Sequence, residues 1–485
     1  MNYSSQAIPQ AADYIRILPE IVLSVFGMAI MLLDPLIDER RNQRVLGGVA
    51  LVGAIAGLAA TLLQAQSPGL GFWKMVQVDS FSIFFHFLVG AVTVIVILAS
   101  YEYMQVQQIR AGEYYGLVLF GAVGMSLMSS AMELVMIFIA LEISSISTYI
   151  LAGIRRRAAI SSEAAVKYFL LGSFATAFFL YGVALMFGAT GSTRIDVISS
   201  QLRSGPVPVL AYAGVALMVV GLGFKVAAAP FHVWSPDVYE GAPAPVVGFM
   251  STAPKAAAFA VLLRLMFEIN APGRSWLIYV IAALSMTIGN IGALVQGSVK
   301  RLLAYSSIAH AGYLLVAMAA LPDNGIPAAM FYIASYSAMN AGAFAVIGHM
   351  AGAGERYVTV EDYAGLGRRS PLLAATLTVF LLSLIGIPIT GGFFAKFYVF
   401  SAAFQANLTG LVIIGVLNSA VASYYYLRLI VIMYMREPRD EAPVAAIPAS
   451  LGTALIISVA CTIYLGVLPS RVLDYAARSV GELLR

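Results

Sequence analysis

Gly223-Phe224-Lys225-Val226-Ala227-Ala228-Ala229-Pro230-Phe231-His232-Val233-Trp234-Ser235-Pro236-Asp237 is the stretch on which the fold turns. An apolar run from residue 209 to 229 carries a lysine near its end, and a proline follows five residues later. About 20 apolar residues span a bilayer, so the run reads as a membrane helix with an ammonium buried inside it. Pro230 removes a backbone donor and clashes with the preceding turn. A helix broken at membrane depth is tolerated only where protein or water satisfies the freed backbone groups. A charged and broken membrane helix marks a place where an ion is handled, not a plain anchor.

Composition supports the membrane reading. Of the 485 residues, 60% are hydrophobic and 11% charged, against about 25% charged in soluble domains. Mean hydropathy is +0.88. The pattern predicts an all-α integral membrane protein with fourteen helices, near 17–36, 45–66, 80–103, 114–130, 131–153, 163–190, 209–229, 244–268, 275–297, 302–321, 326–350, 371–403, 409–434 and 448–468. Residues 1–485 read as one polytopic domain: three N-terminal helices (17–103), two further groups (114–268 and 275–434), and a last helix with a tail (448–485). The net charge of +4 sits in connections and reports topology, not nucleic-acid binding.

Those connections give a check. The odd-numbered ones hold fourteen basic residues, Arg40, Arg41, Arg44, Arg110, Arg155, Arg156, Arg157, Lys300, Arg301, Arg356, Arg368, Arg369, Arg436 and Arg439. The even-numbered ones hold four, Lys74, Arg194, Arg203 and Arg274. The bias places the odd connections in the cytoplasm, with both termini outside. The first fifteen residues carry no Lys or Arg, unlike a secretory signal. The tail from Ser470 to Arg485 is amphipathic, with Val472, Leu473, Ala476, Val480, Leu483 and Leu484 on one face. It predicts a helix capped by Ser470 and lying on the membrane surface, with docking on a partner subunit as the competing reading.

Redox chemistry finds few candidates. Cys461 is a single cysteine in an apolar run, and His86, His232, His310 and His349 are scattered. No glycine-rich loop follows a strand pattern, which argues against NAD, flavin or ATP sites.

The ionisable residues within the spans carry the chemistry. A charge at the bilayer centre costs at least about 2.5–3.5 kcal/mol. Lys167, Lys225, Lys255, Lys396, Arg264 and Arg428 fall there, with Glu133 and Glu142. The arginines stand near helix ends and are expected to snorkel. Desolvation favours the neutral form of a buried lysine, which lets it take up and release a proton; arginine stays charged. Glu142 supplies a counter-charge and is expected to pair with Lys167. A second interruption, Gly386-Ile-Pro388-Ile-Thr390-Gly391-Gly392-Phe-Phe-Ala-Lys396, breaks the twelfth helix. Interruptions at the fourth helix of a 4–8 unit and of a 9–13 unit suggest a repeated architecture, with His310 in the place of Glu142.

Three long runs now bear on kinship: residues 223–246 with Ala253-Pro254-Lys255, the segment Lys300-Arg301-Leu-Leu-Ala-Tyr305-Ser306-Ser307-Ile-Ala-His310-Ala-Gly312-Tyr313, and residues 386–397. Together they closely resemble the antiporter-like membrane subunits of respiratory complex I. The resemblance implies two inverted five-helix repeats, helices 4–8 and 9–13, with helices 7 and 12 broken. It implies proton translocation through a relay of Glu142, Lys167, Lys225, Lys255 and Lys396, with a weaker role for His310. Lys396 stands where another subunit of the family, the M subunit, has a glutamate. It also implies partners: neighbouring antiporter-like and small membrane subunits within the bilayer, with no nucleic acid. NADH oxidation through FMN and iron–sulfur clusters to quinone would belong to other subunits, leaving no cofactor in this chain. A sodium/proton antiporter subunit and a membrane-bound hydrogenase subunit are the competing readings.

Overall fold

The computed structural model describes residues 9–37, 39–269, 274–321, 324–438 and 444–483. Arg439, Leu484 and Arg485 lie outside them, as do the side chains of Arg40, Arg41, Arg274 and Leu483. The chain begins with α1 (Ala11–Arg16), α2 (Leu18–Leu33) and α3 (Glu39–Gln64), then a short hairpin of β1 (Gly69–Gly71) and β2 (Val76–Val78). Next come α4 (Ser80–Val106), α5 (Ala111–Ser130), α6 (Leu134–Ala152), α7 (Ala159–Thr190), α8 (Ile195–Arg203), α9 (Val209–Val226), α10 (Trp234–Gly241), α11 (Ala244–Met250) and α12 (Ala253–Glu268). The rest comprises α13 (Arg274–Leu294), α14 (Val299–Ala319), α15 (Gly325–Met350), α16 (Leu366–Arg369), α17 (Pro371–Ile385), α18 (Gly391–Gln405), α19 (Thr409–Met435), α20 (Ala449–Val467) and α21 (Pro469–Leu483).

Twelve helical stretches among the described residues are long and apolar enough to cross a membrane. The α5 helix and the interrupted pair α17–α18 supply the two further passages that the sequence predicts. Contacts between connections confirm the alternation. At one face, Glu355 accepts from Tyr103 (2.7 Å), Arg155 (2.8 Å), the Ala244 amide (2.8 Å) and Lys300 (2.9 Å), and His349 meets the Ala445 carbonyl. All of these groups flank odd connections. At the other face, Val76 bridges Ala131, Glu133 bridges Arg194, Ser199 bonds the Glu268 carbonyl, and Asn324 bonds Gln405. All of these flank even connections, in keeping with the alternation expected from the sequence.

The two faces are built differently. Glu355 is a buried carboxylate, and burial by itself works against its ionisation. Lys300, the Tyr103 hydroxyl and Arg155 outweigh that and hold it below the usual carboxylate range. At the opposite face Glu133, which sits between the fourth and fifth passages, caps α6 by accepting from the Met136 amide at 2.7 Å. Within the bundle, close approach rests on small residues. A Cβ on Gly124 of α5 would meet the α6 backbone at 2.6 Å.

Two sequence expectations are corrected, the unbroken eighth helix and the snorkelling Arg264, and two are refined, the all-α class by a short hairpin and the tail by its docking within the chain. The β1–β2 hairpin adds sheet to the expected all-α chain, paired Gly69 to Val78 through Gly71 to Val76. The eighth passage, read as one helix, is split into α11 and α12 at Ser251–Thr252, where Thr252 leaves helical geometry (φ −121°, ψ −76°). Arg264 does not snorkel: it is buried and holds Asp79 at 3.0 and 3.2 Å, because the Asp79 carboxylate compensates its charge inside the protein. The tail helix α21 starts at Pro469, one residue before the expected cap. It docks on the chain's own α4 and α15, with Ala476 and Val480 buried and Glu482 accepting from Ser80 at 2.8 Å.

Candidate proton-relay site

Each deep lysine stands beside a break in a helix. Lys225 lies in the last turn of α9, which stops at Ala227 in the left-handed region (φ 57°) ahead of Pro230. The Ala227 and Ala228 amides close the turn onto Phe224 and Gly223 carbonyls, a compact C-cap. Lys255 lies in the first turn of α12, just past the Ser251–Thr252 break. Lys396 lies in the second turn of α18, beyond the break that follows Gly386 (φ 93°). A break frees carbonyls, and carbonyls are what an ammonium donates to.

The Lys396 ammonium shows this directly. It donates to the Ile385 carbonyl at the end of α17 (2.8 Å) and to Ser419 Oγ (2.7 Å), over the Tyr313 ring at 5.0 Å. Lys255 donates to Ser307 through its Oγ (2.5 Å) and its carbonyl (3.0 Å). Lys225 donates to Ser145 Oγ at 2.9 Å, with the Tyr149 and Tyr168 rings each 5.8 Å away. All three lysines are at least 90% buried, at 4%, 1% and 7% exposure in chain order.

His310 connects the later stations. Its Nδ1 lies 2.7 Å from Tyr332 Oη and its Nε2 3.4 Å from Tyr426 Oη, and Tyr426 in turn bonds Ser306. Towards Lys255, Tyr336 donates to Ser307 Oγ at 2.7 Å and its ring lies 5.1 Å from the imidazole. Towards Lys396, the Tyr313 ring lies 5.7 Å from the imidazole. The buried Ser235 and Tyr239 hydroxyls lie close to each other and to Ser307, the acceptor of Lys255, without a well-aligned hydrogen bond. Such groups suit ordered water.

Lys167 is not brought to this row. Its ammonium sits between Glu163 (2.7 Å) and Asp237 (2.8 Å), with 41% of the side chain exposed, and Asp237 also takes Arg301 at 2.8 Å. The expected Glu142–Lys167 pair is absent, and helix register explains why. Tyr149 of α6 meets Tyr168 of α7 ring to ring at 4.6 Å. Glu142 lies seven residues deeper than Tyr149, while Lys167 lies one residue nearer the surface than Tyr168. At 1.5 Å per residue that is about 12 Å along the axes, too far for the side chains to bridge. One helical turn from Glu142 is Ser145, the acceptor of Lys225, so Lys225 is its nearest relay cation. Glu142 is partly exposed on the α6 stripe of Val135, Ile139, Ile146 and Ile150, and its Oε1 has no partner.

The hydroxyls that join the stations, Ser145, Ser307, Tyr332, Tyr336, Ser419 and Tyr426, were not singled out as candidates by sequence. Serine is common in membrane helices. Only Ser306 and Ser307, beside His310 in the run from Lys300 to Tyr313, carry any signal.

Buried titratable groups beside broken membrane helices define an ion-translocating membrane subunit, and comparisons say which kind. Residues 131–422 match the family model described as NADH:quinone oxidoreductase/Mrp antiporter, TM. The chain is 64% identical to NADH-quinone oxidoreductase subunit N 2 of Koribacter versatilis, over 99% of each chain. Subunit N 1 of Solibacter usitatus is 47% identical, over 97% of this chain and 98% of its own. Among solved structures, a chain of respiratory complex I from Thermus thermophilus matches with a TM-score of 0.81 and 38% identity, over 95% of this chain and 99% of its own. A chain of the Mrp complex from Dietzia shares the fold, with a TM-score of 0.84 at 20% identity over 96% of this chain and 97% of its own. The chain belongs to the subunit N family of NADH-quinone oxidoreductase. It is a multi-pass proton-translocating membrane subunit, assembled with other membrane subunits of a multisubunit complex.

Proposed function

We propose that protons move through this chain along Glu142, Lys225, Lys255, His310 and Lys396. The observation that carries this reading is the placement of three buried lysines at three helix breaks, the last two linked through Ser307, Tyr336, His310 and Tyr313. Glu142 acts on Lys225 across one turn of α6: a carboxylate nearby holds the proton on the lysine, and its neutralisation releases it. Its exposed flank is the place for a neighbouring membrane subunit to deliver the charge that sets Glu142. Lys167, at the periphery with Glu163 and Asp237, feeds the row from the surface. NADH oxidation and quinone reduction, with their FMN and iron–sulfur centres, take place in companion subunits.

The test is Lys225→Ala in the assembled complex. General acid–base groups contribute about 10²–10⁴-fold, so pumping and coupled quinone reduction should fall at least tenfold while subunit content stays normal. Wild-type pumping by a fully assembled variant would refute the relay.

We further propose that the face carrying Arg155, Arg156 and Glu355 is cytoplasmic, from the basic bias of the odd connections. Cysteines at Arg156 and Arg368 should react with an impermeant reagent only from that side, and one at Arg203 only from the other. The opposite result would invert the topology.

A further inference from the structure

Away from the lysine row, the α4–α5 and α6–α7 connections and the turn at Gly354 enclose a cavity of about 500 Å³. Arg110 lines it from the first connection, and Arg155, Arg156 and Arg157 line it from the second. Glu113 is the one acidic residue of the lining, so positive charge is in excess. Two of the arginines are engaged: Arg155 donates to Glu355 at 2.8 Å and Arg156 to Glu113 at 2.6 Å. Arg110 and Arg157 are exposed and form no ion pair among the described residues.

The walls are held in place by their own contacts. Gln107 donates to the Gly352 carbonyl at 2.7 Å and accepts from the Gly354 amide at 3.0 Å, which ties the turn to the end of α4. Gln108 beside it sits in the left-handed region (φ 53°), a conformation that a side chain adopts only where its surroundings impose it. Arg110 and Ala158 are the N-caps of α5 and α7, and neither gives its helix a side-chain cap. Both line the cavity, so the positive ends of two long helices lie at its rim. Where α4 ends, Val106 is 44% exposed and adds an apolar edge beside Ile109 and Ile154.

Basic residues on odd connections are enough to set topology. Topology does not require that two connections bring their arginines to one concavity and leave two guanidiniums without a counter-charge. Guanidinium forks grip phosphate oxygens in pairs, and basic pockets at the ends of membrane helices suit phospholipid heads. We propose that the cavity is a phosphate site, filled by the head of an anionic phospholipid. Arg110 and Arg157 hold the phosphate, and the first acyl carbons lie over Val106. Arg155 and Arg156 are positioning residues, since their bonds to Glu355 and Glu113 fix the wall that faces the phosphate. The site lies outside the lysine row, and its occupancy can be read without any assay of proton transfer.

Photoactivatable phosphatidylglycerol and phosphatidylcholine, each with a diazirine on the acyl carbons nearest the glycerol, provide the test in membranes holding the whole complex. Adducts would be mapped on peptides containing Val106 and Ile154. The anionic lipid should label them at least about fivefold more strongly than the zwitterionic one, the order expected from one arginine at a membrane surface. Arg110→Gln combined with Arg157→Gln breaks no ion pair and should remove that preference. Arg368→Gln, at an exposed arginine outside the cavity, should leave it intact. If the double variant fails to assemble, Arg157→Gln alone, read against Arg368→Gln, decides the matter. Inorganic phosphate should displace the lipid no better than chloride of equal ionic strength; displacement by phosphate only would assign the same site to soluble phosphate. Equal labelling by the two lipids would overturn the proposal. So would a preference that survives loss of both arginines or falls equally with Arg368→Gln, or a cysteine at Gln108 that cross-links to a neighbouring subunit.

Discussion

Lys396 and Glu142 carry the sharpest expectations at the scale of single residues. Lys396 meets the Ile385 carbonyl and the Ser419 hydroxyl. Arginine can keep both contacts but does not release a proton near neutral pH. A glutamate there loses the positive charge, yet its neutral form can donate to the same carbonyl. Lys396→Glu should therefore retain more proton transfer than Lys396→Arg in assembled complexes, measured as proton flux per quinone reduced. If flux follows positive charge instead, Lys396 is an electrostatic anchor and not a proton-carrying member of the relay. Glu142→Gln keeps size and hydrogen bonding while removing the charge beside Lys225. It should slow turnover by about tenfold, within the range of a lost acid–base group, and Glu142→Asp should be milder. Equal effects of the two would mean that shape, not charge, matters at this position.

At the scale of elements, the helix breaks do the work of holding charge. The α17–α18 turn closes only because Gly392 has no side chain: a Cβ there would lie 1.8 Å from the Ser383 carbonyl oxygen. Gly392→Ala should force the two segments apart, move the Ile385 carbonyl from Lys396 and cost about 1–3 kcal/mol, the usual toll of overpacking. A lowered melting temperature of the assembled complex together with reduced pumping is the expected outcome. Gly452→Ala, whose Cβ would meet only Ile447 at 3.9 Å, should change neither. Two of the three breaks are legible from Pro230 and from Pro388 with its glycines. The third is hidden because Ser251 and Thr252 make no distinctive pattern in an apolar run, and their hydroxyls fold back onto Gly248 and Phe249 carbonyls.

For the molecule as a whole, Glu355 ties four connections at one face. Removing its charge strands Lys300, which is 1% exposed on its side chain, and breaking a buried pair costs about 3–5 kcal/mol. Glu355→Gln should therefore lower the stability of the assembled complex. The pH dependence has a defined sign. A carboxyl held below its ordinary range in the folded state stabilises fully above its unfolded pKa, and that contribution is lost as pH falls through the folded value. The gap between wild type and Glu355→Gln should stay constant from about pH 8 to 5 and close only below about pH 4. A gap that closes on the alkaline side would rule out this carboxylate as its source.

Sequence by itself determined the membrane class and the many-helix architecture, because these follow from the length and apolar character of the spans. It also determined which lysines lie deep, since burial of Lys225, Lys255 and Lys396 follows from their place within apolar runs. What only the tertiary structure decided was who meets whom. Glu142 lies one turn from the acceptor of Lys225 and not beside Lys167, Arg264 finds Asp79, and α21 turns back onto α4 and α15. The reason is physical. Helices in a large membrane bundle are apolar almost all round, so no polar stripe announces which face turns inward. The partners here are 80 to 402 residues apart in sequence. Their meeting is set by the register and rotation of one helix on another, fixed by contacts such as Tyr149 on Tyr168, which no local pattern encodes.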